Sequence, residues 1–302
     1  MIRKQFVPRM VVVLAAWNMA AGFSGARAQD LSGNNAQEAA LVHDQHQSSK
    51  CPEPLNYSNL KNALAEAAAA DKSGLNDQLY ATLVNHDGVV CAVAFSGVSR
   101  MAQPPSSRIF SAVKASTANG FSTDGTSFSN GSGQPSGLAQ STANLYNNTQ
   151  PGGVLWSYDA ASPVDTAVAY AGPTSAYGSP NDPMVGKIVG GINLTGGGVA
   201  LYATGHVIIG AVGVSGDTPC RDHNIAWLVR HNMGLDHMAP NVGQPGVAGP
   251  AALFAGDTAH PDNIIFDITP NPNGGAGISK SGFGHAACPF GTNPLTLPAV
   301  QP

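Results

Sequence analysis

The sequence predicts an α/β protein of the α+β kind, with helices packed on an antiparallel sheet of about five strands. Three observations carry this. Between Gly190 and His237, the runs Ile192 to Leu194, Val199 to Tyr202 and His206 to Val214 are rich in β-formers. They are separated by Gly196-Gly197-Gly198 and Thr204-Gly205, the pattern of a meander with tight turns. After Cys220 the period becomes helical: Ile225, Leu228 and Val229 share a stripe, Asp222 can cap the start and Gly234 can close the end. Charged residues are only 11% of the 302, against 36 Gly and 22 Pro, which suits a loop-rich sheet protein better than a helical bundle. In the last strand Gly210, Ala211 and Gly213 alternate with larger residues, so one face admits close approach by a helix or by a flat ligand; helix packing is the simpler reading.

Arg3, Lys4 and Arg9 precede an apolar run, Met10 to Ala21, and Ala26-Arg27-Ala28 has the small-x-small form of a cleavage site, so residues 1–28 read as a signal peptide. The apolar run is shorter than the roughly 20 residues a membrane span needs. Residues 29–54 are polar and read as a flexible leader, in which His43 and His46 are solvated side chains. Ser58 can cap a helix with Leu60, Leu64 and Ala67 on one stripe. Leu79, Ala81 and Leu83 then alternate into the turn Asn85-His86-Asp87-Gly88, and Val89 to Phe95 returns as the partner strand. A second helix spans Ser106 to Phe121, where Ile109, Phe110, Val113 and Thr117 recur at helical spacing and Lys114 lies beside the buried face. Residues 122–137 are a Ser/Gly loop, Leu138 to Tyr146 a short helix, and the proline-rich stretch 147–187 an excursion over one sheet edge. A domain over 55–238 and a Pro/Gly-rich extension over 239–302, with one strand at Asn263 to Ile268, complete the organisation.

Cleavage would leave 10 basic against 18 acidic side chains, net −8, with no basic run, which argues against nucleic acid as a partner. Cys51, Cys91, Cys220 and Cys288 form an even set with no CxxC, so in an exported chain disulfides outrank metal or redox use. Three pairings exist. Cys51 and Cys288 lie in loop-like terminal segments, whereas Cys91 and Cys220 flank core elements, so Cys51–Cys288 and Cys91–Cys220 are the favoured pairs.

The Leu-Val-Asn-His-Asp-Gly-Val-Val hairpin, the Lys-Ala-Ser-Thr-Ala helix and the Gly-Ala-Val-Gly-Val-Ser-Gly strand followed by an Asp-containing helix resemble the GlcG/HbpS-like heme-binding family. The resemblance runs from about Leu60 to Asp236 and is most specific over 82–90, 112–118 and 209–223. It implies a profilin-like antiparallel sheet with helices on its faces, homo-oligomeric assembly and a tetrapyrrole ligand. The 122–137 insertion and the Cys-containing tail mark an exported, disulfide-containing branch. The family has no fixed ligation motif, and Thr117 in the Lys-Ala-x-Thr-Ala helix is the matching hydroxyl.

His223, Trp227 and His231 fall at i, i+4 and i+8 on the last helix and share a ridge, with His237 past its end. Imidazole ligates iron and indole can lie on a porphyrin face, so the expected cofactor contacts are Thr117, Lys114, His223, Trp227 and His231, with His223 on the metal. The bland reading is a polar ridge beside one packed Trp. No HExxH, GxSxG or phosphate-loop glycine motif is present. The expected function is an exported binder of heme or a related tetrapyrrole, for capture, storage or sensing. The alternatives are an enzyme of the same fold with Lys114, Asp222 and His223 around one pocket, and a ligand-free envelope interaction module.

Overall fold

The computed structural model describes residues 50–124, 137–153, 155–239, 259–274, 277–288 and 297–301. The expected signal peptide, the expected leader before residue 50 and most of the expected 122–137 loop lie outside the described residues. Helix α1 (Tyr57–Ala70) starts one residue before the expected cap: Asn56, not Ser58, accepts from the Asn59 backbone N–H. Strands β1 (Tyr80–Asn85) and β2 (Val90–Phe95) form the expected hairpin. Its turn is closed by Gly88 N–H on the Asn85 carbonyl and by Val89 N–H on the Asn85 side chain, and Gly88 takes a left-handed φ of 83°. Helix α2 (Pro105–Gly120) opens on a proline at the position where a missing N–H costs nothing.

Strands β3 (Gly198–Ala203) and β4 (Val207–Ser215) form the second hairpin, and His206 sits in its turn with φ 66°. Helix α3 (Pro219–Asn232) is capped by Thr218 rather than Asp222, and Gly234 at φ 63° ends it as expected. The antiparallel sheet has order β2-β1-β4-β3. It has four strands: Ile192 to Leu194, expected as the first strand of the meander, has no ladder, because Gly190 and Gly191 at φ 68° and 79° turn that segment away. Among the described residues of the tail a two-residue pair forms, β5 (Ile268–Thr269) with β6 (Ile278–Ser279). Leu138 to Tyr146 makes a 3₁₀ turn at Thr142–Leu145 in place of a helix.

Strand residues alternate between two cores. Ala81, Leu83, Val199, Leu201, Val212 and Val214 face α1 and α3, with Leu60, Leu64, Ile225 and Val229 among their partners. Tyr80, Val84, Val93 and Ala211 face the other way, onto Ile109, Ala112, Val113 and Ala115 of α2. A Cβ at Gly213 would overlap the Ser111 carbonyl and the Ala115 backbone, so the small residues of β4 admit α2, not a flat ligand.

The cysteine pairing differs from the expected one. The disulfides are Cys51–Cys91, with Cα atoms 5.6 Å apart, and Cys220–Cys288, at 5.9 Å. Cys91 points to the α1 face of β2, and Cys51 precedes α1, so both reach the same face. Cys220 opens α3, against which the tail segment carrying Cys288 returns. Face, rather than terminal or central position in the chain, selected the partners.

The 147–187 excursion covers the β2 edge, as expected: Val89 bridges Ile188, and Val90 N–H donates to the Lys187 carbonyl. Its anchor is a fully buried ion pair between Arg108 of α2 and Asp182, with the Arg108 guanidinium 3.7 Å from the Tyr177 ring centroid. Tyr202 of β3 bridges Asp236, so the opposite edge is covered too.

Candidate functional site

At the C-terminal end of α2 the chain leaves a cavity of about 410 Å³, in the size range of small-ligand sites. Its floor is Ser116, Thr117, Gly120 and Phe121; Gly88 of the β1–β2 turn and the strip Ile188 to Ile192 form one wall, and Tyr158 and Ser162 of the excursion form the other. Gly190 and Gly191 hold φ values of 68° and 79°, and a Cβ at Gly191 would overlap Val164 and crowd Val113, so this wall can be built only without side chains. Phe121 and Tyr158 lie with ring centroids 5.8 Å apart, and Tyr158 and Ile188 are about half exposed.

Two hydroxyls sit on the floor. Thr117 Oγ1 donates to the Val113 carbonyl at 2.7 Å and accepts from Asn193 N–H at 2.9 Å, which fixes its rotamer and leaves one oxygen lone pair. Ser116 Oγ is buried without a hydrogen-bond partner, an unsatisfied group beside an open volume. Among the described residues no His, Cys or Met lines the cavity.

Of the expected contacts, Thr117 lies here and Lys114, His223, Trp227 and His231 do not. Convergence of Thr117 and His223 required α2 and α3 to cover one sheet face, and they cover opposite faces. Lys114 reaches around Gly197 to form a buried ion pair with Asp222 at 2.7 Å and also donates to the Val214 carbonyl. Burial pushes the Asp222 carboxyl up to about 6 while Lys114 opposes the shift. With side-chain exposures of 3% and 2%, the pair is closed to substrate.

His223 is fully buried, and burial pushes its imidazole down to about 4 against the opposing effects of the Asp262 carboxylate and the Asn263 side chain. Trp227 is also fully buried, donates from Nε1 to the Pro298 carbonyl, and has the Arg230 guanidinium 4.4 Å from its ring centroid. Arg230 in turn makes a two-pronged buried pair with Asp262 at 2.6 and 2.8 Å. His231, partly exposed, pairs with Asp236 at 2.7 Å. The ridge of α3 is therefore a seat for the C-terminal extension. Sequence reasoning missed Ser116, Phe121, Tyr158 and the Ile188 to Ile192 strip as parts of one cavity; the Gly190-Gly191 doublet was the available signal.

Residues 58–228 match the sequence model of the HbpS-like family, described as haem degrading protein HbpS-like. No curated protein matches the chain. Among solved structures, a PduOC:heme complex is 19% identical, with 58% of this chain and 89% of that one covered and a TM-score of 0.36. The ORFY protein of Klebsiella pneumoniae is 18% identical, covering 58% and 86% at a TM-score of 0.36. A double mutant of HbpS from Streptomyces reticuli is 17% identical, covering 70% and 97% at 0.32.

Proposed function

The chain belongs to the HbpS-like family, matched over more than half its length, and from that premise we propose that it is an exported protein that binds heme or a related tetrapyrrole at the end of α2. The observation that supports this reading is the cavity floored by Thr117, because the family resemblance singles out that hydroxyl and the fold opens a ligand-sized volume onto it. The lining suits a flat amphipathic ring. Phe121, Tyr158, Ile188 and Ile192 offer apolar contact, Gly88, Gly120, Gly190 and Gly191 keep the wall narrow, and the orphaned Ser116 Oγ offers a polar partner. Thr117, locked between Val113 and Asn193, is the residue we assign to face the metal; bound heme would supply a redox-active iron.

Export rests on the 1–28 signal sequence and fits the two disulfides, since such bonds persist in oxidising compartments. Among the described residues no helix is long and apolar enough to cross a membrane. A homo-oligomer is also part of the proposal. Because the chain covers both of its own sheet edges, the contact would use another surface; light scattering at micromolar concentration reads it directly, and a monomer would remove this element.

Hemin titration tests the binding. The mature chain should give a saturable Soret band at one equivalent, Thr117→Val should weaken binding about tenfold and shift the band, and His223→Ala should leave the spectrum unchanged. A Thr117→Val spectrum and affinity equal to those of the parent protein would remove the assignment.

A further inference from the structure

The Cys220–Cys288 pair has a third potential ligand beside it. A ring nitrogen of His285 and the two sulfur atoms all lie within 4.8 Å of one another, in a region where Cys220 and His285 are buried and Cys288 is partly so. His285 Nδ1 lies 2.7 Å from the Ala286 carbonyl, an oxygen that can only accept, so Nδ1 carries the hydrogen and Nε2 keeps a bare lone pair. That Nε2 is buried and has no hydrogen-bond partner, on a residue only 5% exposed. An orphaned imidazole nitrogen beside two sulfurs is costly unless something binds it. His223, one helical turn after Cys220, is fully buried, with His285 and the Asn263 side chain beside it. The sequence thus supplies Cys-x-x-His on α3 and His-x-x-Cys in the tail, two sulfur and two nitrogen donors.

We propose that this cluster is a redox-gated site for a thiophilic divalent cation such as Zn²⁺, held by Cys220, His285 and Cys288 with His223 as the fourth donor. In the oxidised protein the sulfurs bond to each other. A dithiol reductant supplies two electrons and two protons: the S–S bond breaks, two thiols form, and the reductant leaves as its own disulfide. The cation then displaces both thiol protons and forms two metal–sulfur bonds and the metal–nitrogen bonds. Tetrahedral zinc with Zn–S near 2.3 Å places its donors about 3.8 Å apart, within the 4.8 Å that already encloses these three atoms. Cys220 stands in the first turn of α3, where the helix dipole favours the thiolate. Two thiolates neutralise the divalent charge, and the neighbouring Arg230–Asp262 pair already balances itself.

The site shares no residue with the lining of the Thr117 cavity, so the two are tested independently. The test uses the mature chain reduced by a dithiol, then freed of it without oxygen and titrated with Co²⁺ under circular dichroism. The expected result is one equivalent of Co²⁺ with tetrahedral d–d bands and sulfur-to-metal charge transfer, displaced by Zn²⁺ and absent from the disulfide form. Affinity should drop at least tenfold in His285→Ala and survive in the Cys51→Ala/Cys91→Ala double variant. If reduction unfolds the chain, Zn²⁺ should restore the native spectrum. Absence of binding and of refolding, or binding unaffected by His285→Ala, overturns the site.

Discussion

The two faces of the sheet bury polar groups in different ways. On the α1/α3 face, His223, Trp227 and Arg230 are wholly buried and Arg230 is matched to Asp262. The C-terminal extension lies over them, with its Pro298 carbonyl on the Trp227 indole. On the α2 face the core is equally tight beneath Ile109 and Val113, but the end of the helix opens into a cavity edged by half-exposed Tyr158 and Ile188. Both faces bury an ion pair, Arg230–Asp262 on one and Arg108–Asp182 on the other, but beside the cavity the α2 face also leaves the Ser116 hydroxyl without a partner. The histidines and the tryptophan of the α3 ridge lie outside the cavity, while Thr117 lines it.

The comparison fails most visibly if the closed face tolerates loss of one charge. Arg230→Ala strands the Asp262 carboxylate and should cost about 3–5 kcal/mol by denaturant unfolding, as removal of one partner of a buried pair does. A loss below about 1 kcal/mol would mean that water reaches this pair. Replacing Cys220 and Cys288 together by Ser should cost about 2–4 kcal/mol, and non-reduced peptide mapping should link Cys220 to Cys288 and Cys51 to Cys91.

The buried histidine gives a pH signature. Its folded value, about 4, lies below the ordinary histidine value of 6.5, so the unfolded chain binds the extra proton between these limits. The His223 contribution is fully present above pH 6.5 and is lost as pH falls toward 4. Two to three units correspond to a change on the order of 3 kcal/mol. Asp222, raised to about 6, acts with opposite sign, losing stability as pH rises from 3.8 toward 6. The difference between the parent protein and His223→Phe isolates the histidine: their unfolding free energies should converge as pH drops from 6.5 to 4. Curves that stay parallel would show that His223 is reached by solvent.

The smallest stability effect should come from the open face. Tyr158→Ala should change stability by no more than about 0.5 kcal/mol, yet weaken hemin binding several-fold, since its ring is half exposed and lines the cavity. A loss of stability comparable to that of Arg230→Ala would make the cavity wall a structural element.

The sequence by itself determined the three long helices, both hairpins and their turns, and the family. Stripes such as Leu60/Leu64, the Asn85 to Gly88 turn and Gly234 after α3 are signals read within a dozen residues, and local backbone preferences decide them. It also singled out Thr117 as an expected contact through a match of neighbouring residues, and the fold places that residue at a cavity. Only the tertiary structure decided that α2 and α3 lie on opposite faces, which separates Thr117 from His223. It likewise decided that Cys91 meets Cys51, that Ile192 to Leu194 is not a strand and lends Ile192 to the cavity wall, and that Tyr158 and Ile188 share a cavity with Phe121. The physical reason is that a helix's stripe says it must be buried but not against which face. Two side chains far apart in the chain share a site only when packing of the whole sheet fixes both directions.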